Sequence, residues 1–168
     1  MKFKFILFFI LVQVMGLQAQ NKPCACCKPA FRQFDFWIGE WEVKDTSGQL
    51  LGTSSIVLAK GDCLIQEHWQ GQSGVSGHSM NYYSSADSNW HQLWVGGDGT
   101  ILDLSGGLEK GAMVLRSSAF KAKRGKMLRH QIQWIPQSDG TILQHWQLID
   151  VQGQALQTLF YGVYHPKY

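Results

Sequence analysis

Short apolar runs alternate with glycine-rich breaks along most of the chain. From Trp37 onward the runs are rich in Val, Ile, Leu, Tyr and Trp, and none keeps the spacing of an amphipathic helix over a useful length. The nine breaks are 45–48, 60–62, 71–74, 84–89, 96–99, 109–111, 123–125, 138–140 and 152–153. Nine breaks separate ten strands, and tight turns that contain glycine favour sequential antiparallel hairpins.

The number of strands and the hairpin connections predict a closed sheet. An open ten-stranded sheet would leave two edges free to pair with other chains, whereas closure into a barrel removes both edges. A barrel of this size has room for a small ligand unless large side chains fill it. We therefore predict an all-β fold, a single antiparallel up-and-down β-barrel of about ten strands.

The N-terminal segment has a different pattern. Lys2 and Lys4 precede an apolar stretch from Phe5 to about Val14, and the small residue Ala19 precedes Gln20. This layout is typical of a secretory signal peptide, so we expect cleavage near Ala19 and export to the periplasm or the medium. The apolar stretch is short for a bilayer, and we expect no integral membrane segment after cleavage.

Composition places the protein among single-domain globular proteins. Of the 168 residues of the full chain 45% are apolar and 16% are charged, and the part after the expected signal peptide still has enough apolar residues for one core. Removing Lys2 and Lys4 lowers the basic count from 15 to 13 against 12 acidic residues, which does not favour a nucleic-acid partner. The predicted division is a signal peptide (1–19), an irregular cysteine-rich lead-in (20–33) and a barrel domain (34–168).

All the cysteines follow the expected signal peptide: Cys24, Cys26, Cys27 and Cys63. Thiols tend to pair in an oxidising setting, and a disulfide to Cys63 would tie the lead-in to the barrel. Four cysteines allow three complete pairings, which the sequence does not separate. The alternative is a soft metal, Cu(I) or Zn(II), bound by the clustered thiolates of the lead-in.

The most specific motif stands at the start of the predicted barrel. In 34–43, Phe-Asp-Phe-Trp-Ile-Gly-Glu-Trp-Glu-Val, alternation places Trp37, Gly39 and Trp41 on the inner face of a first strand. The Gly-Glu-Trp resembles the Gly-x-Trp that opens lipocalins, and the whole block resembles a family of secreted bacterial domains of unknown function, similar to lipocalin and nitrobindin barrels. The resemblance implies a lipocalin-like carrier in which Trp41 packs at the closed end, under a late-strand arginine for which Arg129 is the candidate.

The same resemblance implies haem as an alternative ligand. Nitrobindin-like barrels bind ferric haem through a histidine close to the C-terminus, and His165 occupies a comparable region of this chain. Haem stands here as the alternative to a carrier that holds no cofactor.

Titratable and aromatic residues on apolar strand faces are the candidate ligand contacts. A polar group inside a barrel is either hydrogen-bonded or directed at a ligand. Glu67, His78 and His130 share faces with apolar residues and are predicted to orient a ligand. The tryptophans predicted to supply an apolar wall are Trp69, Trp94, Trp134 and Trp146. Further donors and acceptors are predicted at Gln92, Gln131, Gln144 and His145.

Three functional classes follow from these residues. The leading hypothesis is an exported barrel that carries a small hydrophobic or amphipathic molecule and catalyses nothing. In a hydrolase or isomerase, Glu67 and His130 would instead form a general acid/base pair within hydrogen-bond reach. In a cell-envelope interaction module, a solid barrel would present its surface, including the basic hairpin tip around Gly125, to a partner.

Overall fold

One closed sheet forms the body of the protein. The computed structural model describes residues 24–59, 61–122 and 125–167, and the predicted signal peptide lies outside them. Two short 3₁₀ helices, Pro29–Arg32 and Asp35–Trp37, precede the sheet. The strands are β1 (Gly39–Lys44), β2 (Leu50–Leu58), β3 (Ile65–Gly71), β4 (Ser76–Ser84), β5 (Asn89–Gly96), β6 (Ile101–Glu109), β7 (Ala112–Ser117), β8 (Phe120–Lys121), β9 (Met127–Pro136), β10 (Ile142–Asp150) and β11 (Ala155–Pro166).

The strands close into an antiparallel up-and-down barrel. Each of β1 to β7 pairs with its successor or, for β7, with β9, and β9, β10 and β11 follow in order until β11 returns to β1. Ten strands therefore form the barrel, and the two-residue β8 extends the β7 side of β9. This confirms the predicted fold class and strand number, and every predicted break falls at a connection between strands.

Aromatic side chains close one end of the barrel. The rings of Phe34 and Trp37 stack with centroids 4.9 Å apart, and both rings contact Trp134, at 5.1 and 5.2 Å. Phe34, Trp37 and Trp134 are all fully buried. We call the part of the barrel around these three residues the closed end, and the opposite part the open end.

The first strand begins later than the sequence predicts. Trp37 ends a 3₁₀ helix, and β1 starts at Gly39, whose φ of 151° is a conformation that side-chain-bearing residues rarely adopt. This backbone conformation turns the chain from the 3₁₀ helix into the strand. The indole N–H of Trp41 then donates to the backbone carbonyl of Trp37 at 2.9 Å, which joins the strand to the closed end.

The expected arginine over Trp41 is wrong. Arg129 lies five residues before Trp134 on β9, in the half of that strand nearer the open end. Alternation along β9 directs Ile132 and Trp134 inward and therefore directs Arg129 outward. Trp41 is held instead by the backbone carbonyl of Trp37, which accepts the hydrogen bond from its indole N–H.

Two disulfides involve the lead-in, and one of them attaches it to the barrel. Cys24 pairs with Cys27, and Cys26 pairs with Cys63 in the turn between β2 and β3. This confirms the predicted link to Cys63 and identifies which of the three pairings is formed. Because all four sulfurs are in disulfides, the metal alternative lacks its thiolate ligands. Structural disulfides are typical of proteins outside the reducing cytosol.

No helix within the described ranges is both long enough and apolar enough to cross a membrane.

Candidate ligand cavity

A cavity of about 300 Å³ occupies the open end of the barrel. Its apolar wall consists of Trp69, Trp94, Leu102, Ile132, Trp146 and Phe160. Its floor, nearer the closed end, presents the polar side chains of Glu67, Gln92, Gln144 and Tyr164. Its mouth is formed by Val75, Gly96, Asp98 and Thr100. The cavity thus has the apolar wall and the few convergent polar groups that are typical of small-molecule sites.

Glycines on neighbouring strands keep this cavity open. A Cβ atom placed on Gly52 of β2 would lie 2.7 Å from Cη2 of Trp69, and one placed on Gly77 of β4 would lie 2.7 Å from Cη2 of Trp94. Each indole therefore packs directly against the glycine backbone of the preceding strand. Since the rings occupy the space that a neighbouring side chain would fill, they lie against the wall and leave the centre of the barrel free.

Glu67 anchors a chain of hydrogen bonds on the floor of the cavity. Its two carboxyl oxygens accept from the hydroxyls of Ser54 and Ser79, at 3.0 and 2.9 Å. The side-chain amide of Asn81 donates to the Ser79 hydroxyl at 2.9 Å, and that of Gln92 donates to Oδ1 of Asn81 at 2.8 Å. The chain satisfies buried polar groups that would otherwise destabilise the fold, and it holds the Glu67 carboxyl in one position.

The floor contains a carboxyl group that titrates near neutral pH. Burial raises the pKa of Glu67 to about 7, although the hydrogen bonds from Ser79 and Ser54 favour the charged form. Burial, together with the negative charge of Glu67, also raises the pKa of Tyr164 well above its usual value. The Tyr164 hydroxyl stays protonated and donates to Gln144 at 2.6 Å.

The raised pKa of Glu67 predicts that stability falls as the pH rises. The folded chain holds this proton more tightly than the unfolded chain, so the stability present below pH 4.5 is lost between pH 4.5 and about pH 7. We expect Glu67→Gln to remove that loss, about 3 kcal/mol. Urea unfolding of both proteins at pH 4.5 and pH 8 measures the difference, and parallel pH profiles would contradict the prediction.

His130 positions a residue of the cavity wall. The indole N–H of Trp146 donates to Nδ1 of His130 at 3.0 Å, and the His130 ring stacks on Phe120 with centroids 5.1 Å apart. Burial lowers the pKa of His130, which favours the neutral ring that can accept this hydrogen bond. His130 therefore acts on the cavity through Trp146. The carboxyl of Glu67 and the imidazole of His130 bond to different partners, so the acid/base pair considered above is not formed.

The predicted inward position of His78 is wrong, and this residue does not border the cavity. His78 lies on the outer face of β4, where its ring stacks on that of His68 with centroids 4.4 Å apart. The inward positions of β4 are instead Ser79 and Asn81, both buried. The apolar neighbours of His78 that made its face look internal, among them Met80, are exposed on the outer surface.

The predicted wall position of Trp134 is also wrong. Trp134 faces the interior, as alternation requires, but it lies at the closed end against Phe34 and Trp37. It does not border the cavity. The predicted wall positions of Trp69, Trp94 and Trp146, and the inward position of Glu67, agree with the cavity found at the open end.

Two cavity residues on β11 escape the sequence prediction. Phe160 lines the wall and Tyr164 lines the floor, with Gly162 between them on the same strand face. The signal that could have found them is the alternation of 160, 162 and 164, together with the glycine, since a Cβ on Gly162 would lie 2.8 Å from Cζ of Phe160. The mouth residue Asp98 lies in a turn, where alternation makes no prediction.

The histidine predicted for the haem alternative lies outside the cavity. His165 pairs with Glu42 across β11 and β1, in a register that alternates with the inward Tyr164, and it does not border the cavity. Within the described ranges no group of three His, Cys, Asp or Glu side chains could hold a metal ion. The position of His165 does not fit the axial ligation that the haem alternative would require of it from inside the barrel.

Comparison with known proteins adds no relative. A scan against known protein families finds no match to the chain, and a search of curated proteins finds no match either. The resemblance to lipocalin and nitrobindin barrels therefore stays a prediction, and the cavity is the basis for a functional assignment.

Proposed function

We propose that the protein is an exported carrier of a small hydrophobic or amphipathic molecule, which it holds in the cavity at the open end without catalysis. The observation that carries this proposal is the open cavity itself. The tryptophan rings of its wall pack against Gly52 and Gly77, where a side chain would leave them no room, and they leave the lumen free. Small ligands bind in β-barrels whose interior side chains leave such a space free.

The two alternatives receive less support from the geometry. A hydrolase or isomerase would need Glu67 and His130 to share a proton, whereas their hydrogen bonds run to Ser54, Ser79 and Trp146. An interaction module of the kind considered above would have a filled barrel, and a cavity of about 300 Å³ stands at the open end of this one.

Export is part of the same proposal. The N-terminal pattern that ends at Ala19 predicts a signal peptide, and the disulfides of the lead-in are stable in the oxidising compartments that such a signal reaches. In such a compartment the link between Cys26 and Cys63 persists and holds the lead-in against the turn between β2 and β3 at the closed end.

The proposal is tested by blocking the cavity from within its wall. We expect the neutral fluorophore N-phenyl-1-naphthylamine to bind the mature protein and to brighten on binding. Gly77→Ala should weaken binding about tenfold or more, because the added methyl group displaces the Trp94 ring into the lumen. The matched control is Gly107→Ala in β6, where nothing in the described structure lies within 4 Å of the added Cβ.

Two outcomes would contradict the proposal. One is the absence of a fluorescence increase when N-phenyl-1-naphthylamine is added to the wild-type protein. The other is equal affinity of Gly77→Ala and Gly107→Ala for the fluorophore. Far-UV circular dichroism establishes that Gly77→Ala keeps its strands. If it does not fold, Leu102→Trp supplies a second blocked cavity, since Leu102 belongs to the wall and lies apart from the glycines.

A further inference from the structure

The charged groups that line the cavity have one sign. Glu67 stands on the floor and Asp98 at the mouth, and among the described residues the lining contains no Lys, Arg or His. Hydrogen bonds from the Thr100 backbone and hydroxyl lower the pKa of Asp98, so the mouth carries a negative charge over the physiological range. A low-dielectric cavity with acidic groups at both ends attracts cations and repels anions.

The wall between these two carboxyl groups also favours a cation. Trp69 and Trp94 both line the cavity together with Glu67, and the Cζ2 and Cη2 atoms of their rings pack against Gly52 and Gly77. The face of an indole is the negative part of its quadrupole, and it attracts a positive charge at close range, most strongly where water is excluded.

We propose that the ligand of this cavity carries an ammonium group on a small apolar body, with the positive charge held between the Glu67 carboxylate and the ring faces of Trp69 and Trp94. This inference rests on the proposed carrier function and specifies its ligand class. An apolar body fits the remainder of the wall, and a cavity of about 300 Å³ limits that body to a small one.

A bound cation stabilises the ionised form of Glu67 on the floor of the cavity. Burial disfavours the ionised form of Glu67, and the hydroxyls of Ser54 and Ser79 compensate only in part, which gives the carboxyl its pKa of about 7. A bound ammonium supplies the missing opposite charge. Binding therefore favours the carboxylate and releases a proton, so affinity should rise with pH.

Glu67 is the cavity group whose charge changes near neutral pH. Its neighbours on β2 and β4 are the hydroxyls of Ser54 and Ser79, which do not titrate, and the pKa of Tyr164 across the floor lies well above its usual value. The pKa of Asp98 at the mouth is lowered, and so is that of His130 behind the hydrogen bond to Trp146. Above pH 6.5 these groups keep their charge while Glu67 ionises.

Two probes of nearly equal shape test the charge directly. Phenyltrimethylammonium carries a permanent positive charge, and tert-butylbenzene is its neutral carbon counterpart. Calorimetric titration of the mature protein should show that the dissociation constant of the cation falls about fourfold between pH 6.5 and pH 8.5, as the Glu67 carboxylate forms. The neutral probe should show no such trend.

A variant assigns the effect to one carboxyl group. Glu67→Gln should abolish the pH trend and weaken binding of the cation about tenfold, because the opposite charge beside the ammonium group is lost. It should leave binding of tert-butylbenzene within about twofold, because the apolar wall is unchanged. Glu42→Gln on β1, outside the cavity lining, is the matched control and should change neither probe.

The outcomes separate the ligand class from the carrier function. If tert-butylbenzene binds and phenyltrimethylammonium binds no better at any pH, the inference about charge is overturned and the carrier function stands. If neither probe binds, both are overturned. The pH comparison on the wild-type protein decides between these results even where Glu67→Gln fails to fold.

Discussion

Replacing Trp134 with alanine is expected to lower the free energy of unfolding by about 4 kcal/mol. The ring is fully buried and contacts Phe34 and Trp37, so its removal leaves an enclosed cavity that the rigid barrel wall cannot collapse to fill. Urea unfolding followed by far-UV circular dichroism measures the loss, and tert-butylbenzene binding at the open end should persist in the folded fraction.

Two further substitutions separate packing from other effects. Trp94→Ala removes the same side chain from the half-buried cavity wall, and we expect it to destabilise the protein by less than half as much. Trp134→Phe keeps most of the ring contacts and removes an indole N–H that has no hydrogen-bond partner within the described structure, so it should lose less than Trp134→Ala. Equal losses for Trp134→Ala and Trp94→Ala would contradict the distinction between a packed end and an open end.

The architecture was predictable because two local signals agree along the whole barrel. Strands of alternating character end at glycine-containing turns, and sequential antiparallel hairpins leave closure as the only way to remove both edges of a large sheet. Neither signal depends on distant contacts. The 3₁₀ helix at Asp35–Trp37 was missed because the alternation of 34–43 continues through it, although Gly39 marks the place where the backbone changes direction.

The candidate site was predictable only where a strand has an apolar interior face. On β3, β5 and β10 the tryptophans face inward as alternation requires, and Trp69, Trp94 and Trp146 reach the cavity. On β4 the expectation that apolar residues face inward is wrong. The inward positions hold Ser79, which donates a hydrogen bond to Glu67, and Asn81, which donates one to Ser79. The wrong prediction concerns the strand that contributes most residues to the hydrogen-bond network. Departures from the apolar-inside pattern are expected where a candidate site needs polar groups in the interior.

Depth along the barrel axis is the second property that alternation does not encode. Trp134 and Trp146 both face inward, yet one packs at the closed end and the other lines the cavity. The difference depends on which end receives the aromatic residues that precede β1. The segment before β1 and the disulfide that fixes it determine which end of the barrel these aromatic residues close. The sequence allows three cysteine pairings and therefore does not show which end this is.

Loss of the Cys26–Cys63 disulfide is expected to destabilise the protein by about 4 kcal/mol, because the bond closes a loop between residues 37 positions apart. The Cys24–Cys27 disulfide closes a separation of 3 residues, and its loss should remove only about 2 kcal/mol. The two double alanine variants, unfolded in urea under oxidising conditions, provide a matched comparison. A loss for the Cys24 and Cys27 pair that equals or exceeds the other would contradict the expectation.

The same bond should be coupled to the closed end. Cys26 lies in the lead-in that carries Phe34 and Trp37 into the barrel, so a chain without this disulfide holds those rings less firmly against Trp134. Combining Trp134→Ala with the loss of Cys26 and Cys63 should therefore lower stability by less than the two separate losses together, with a coupling of about 1 kcal/mol. If the two losses of stability are strictly additive, the disulfide stabilises the chain without holding the aromatic residues in place at the closed end.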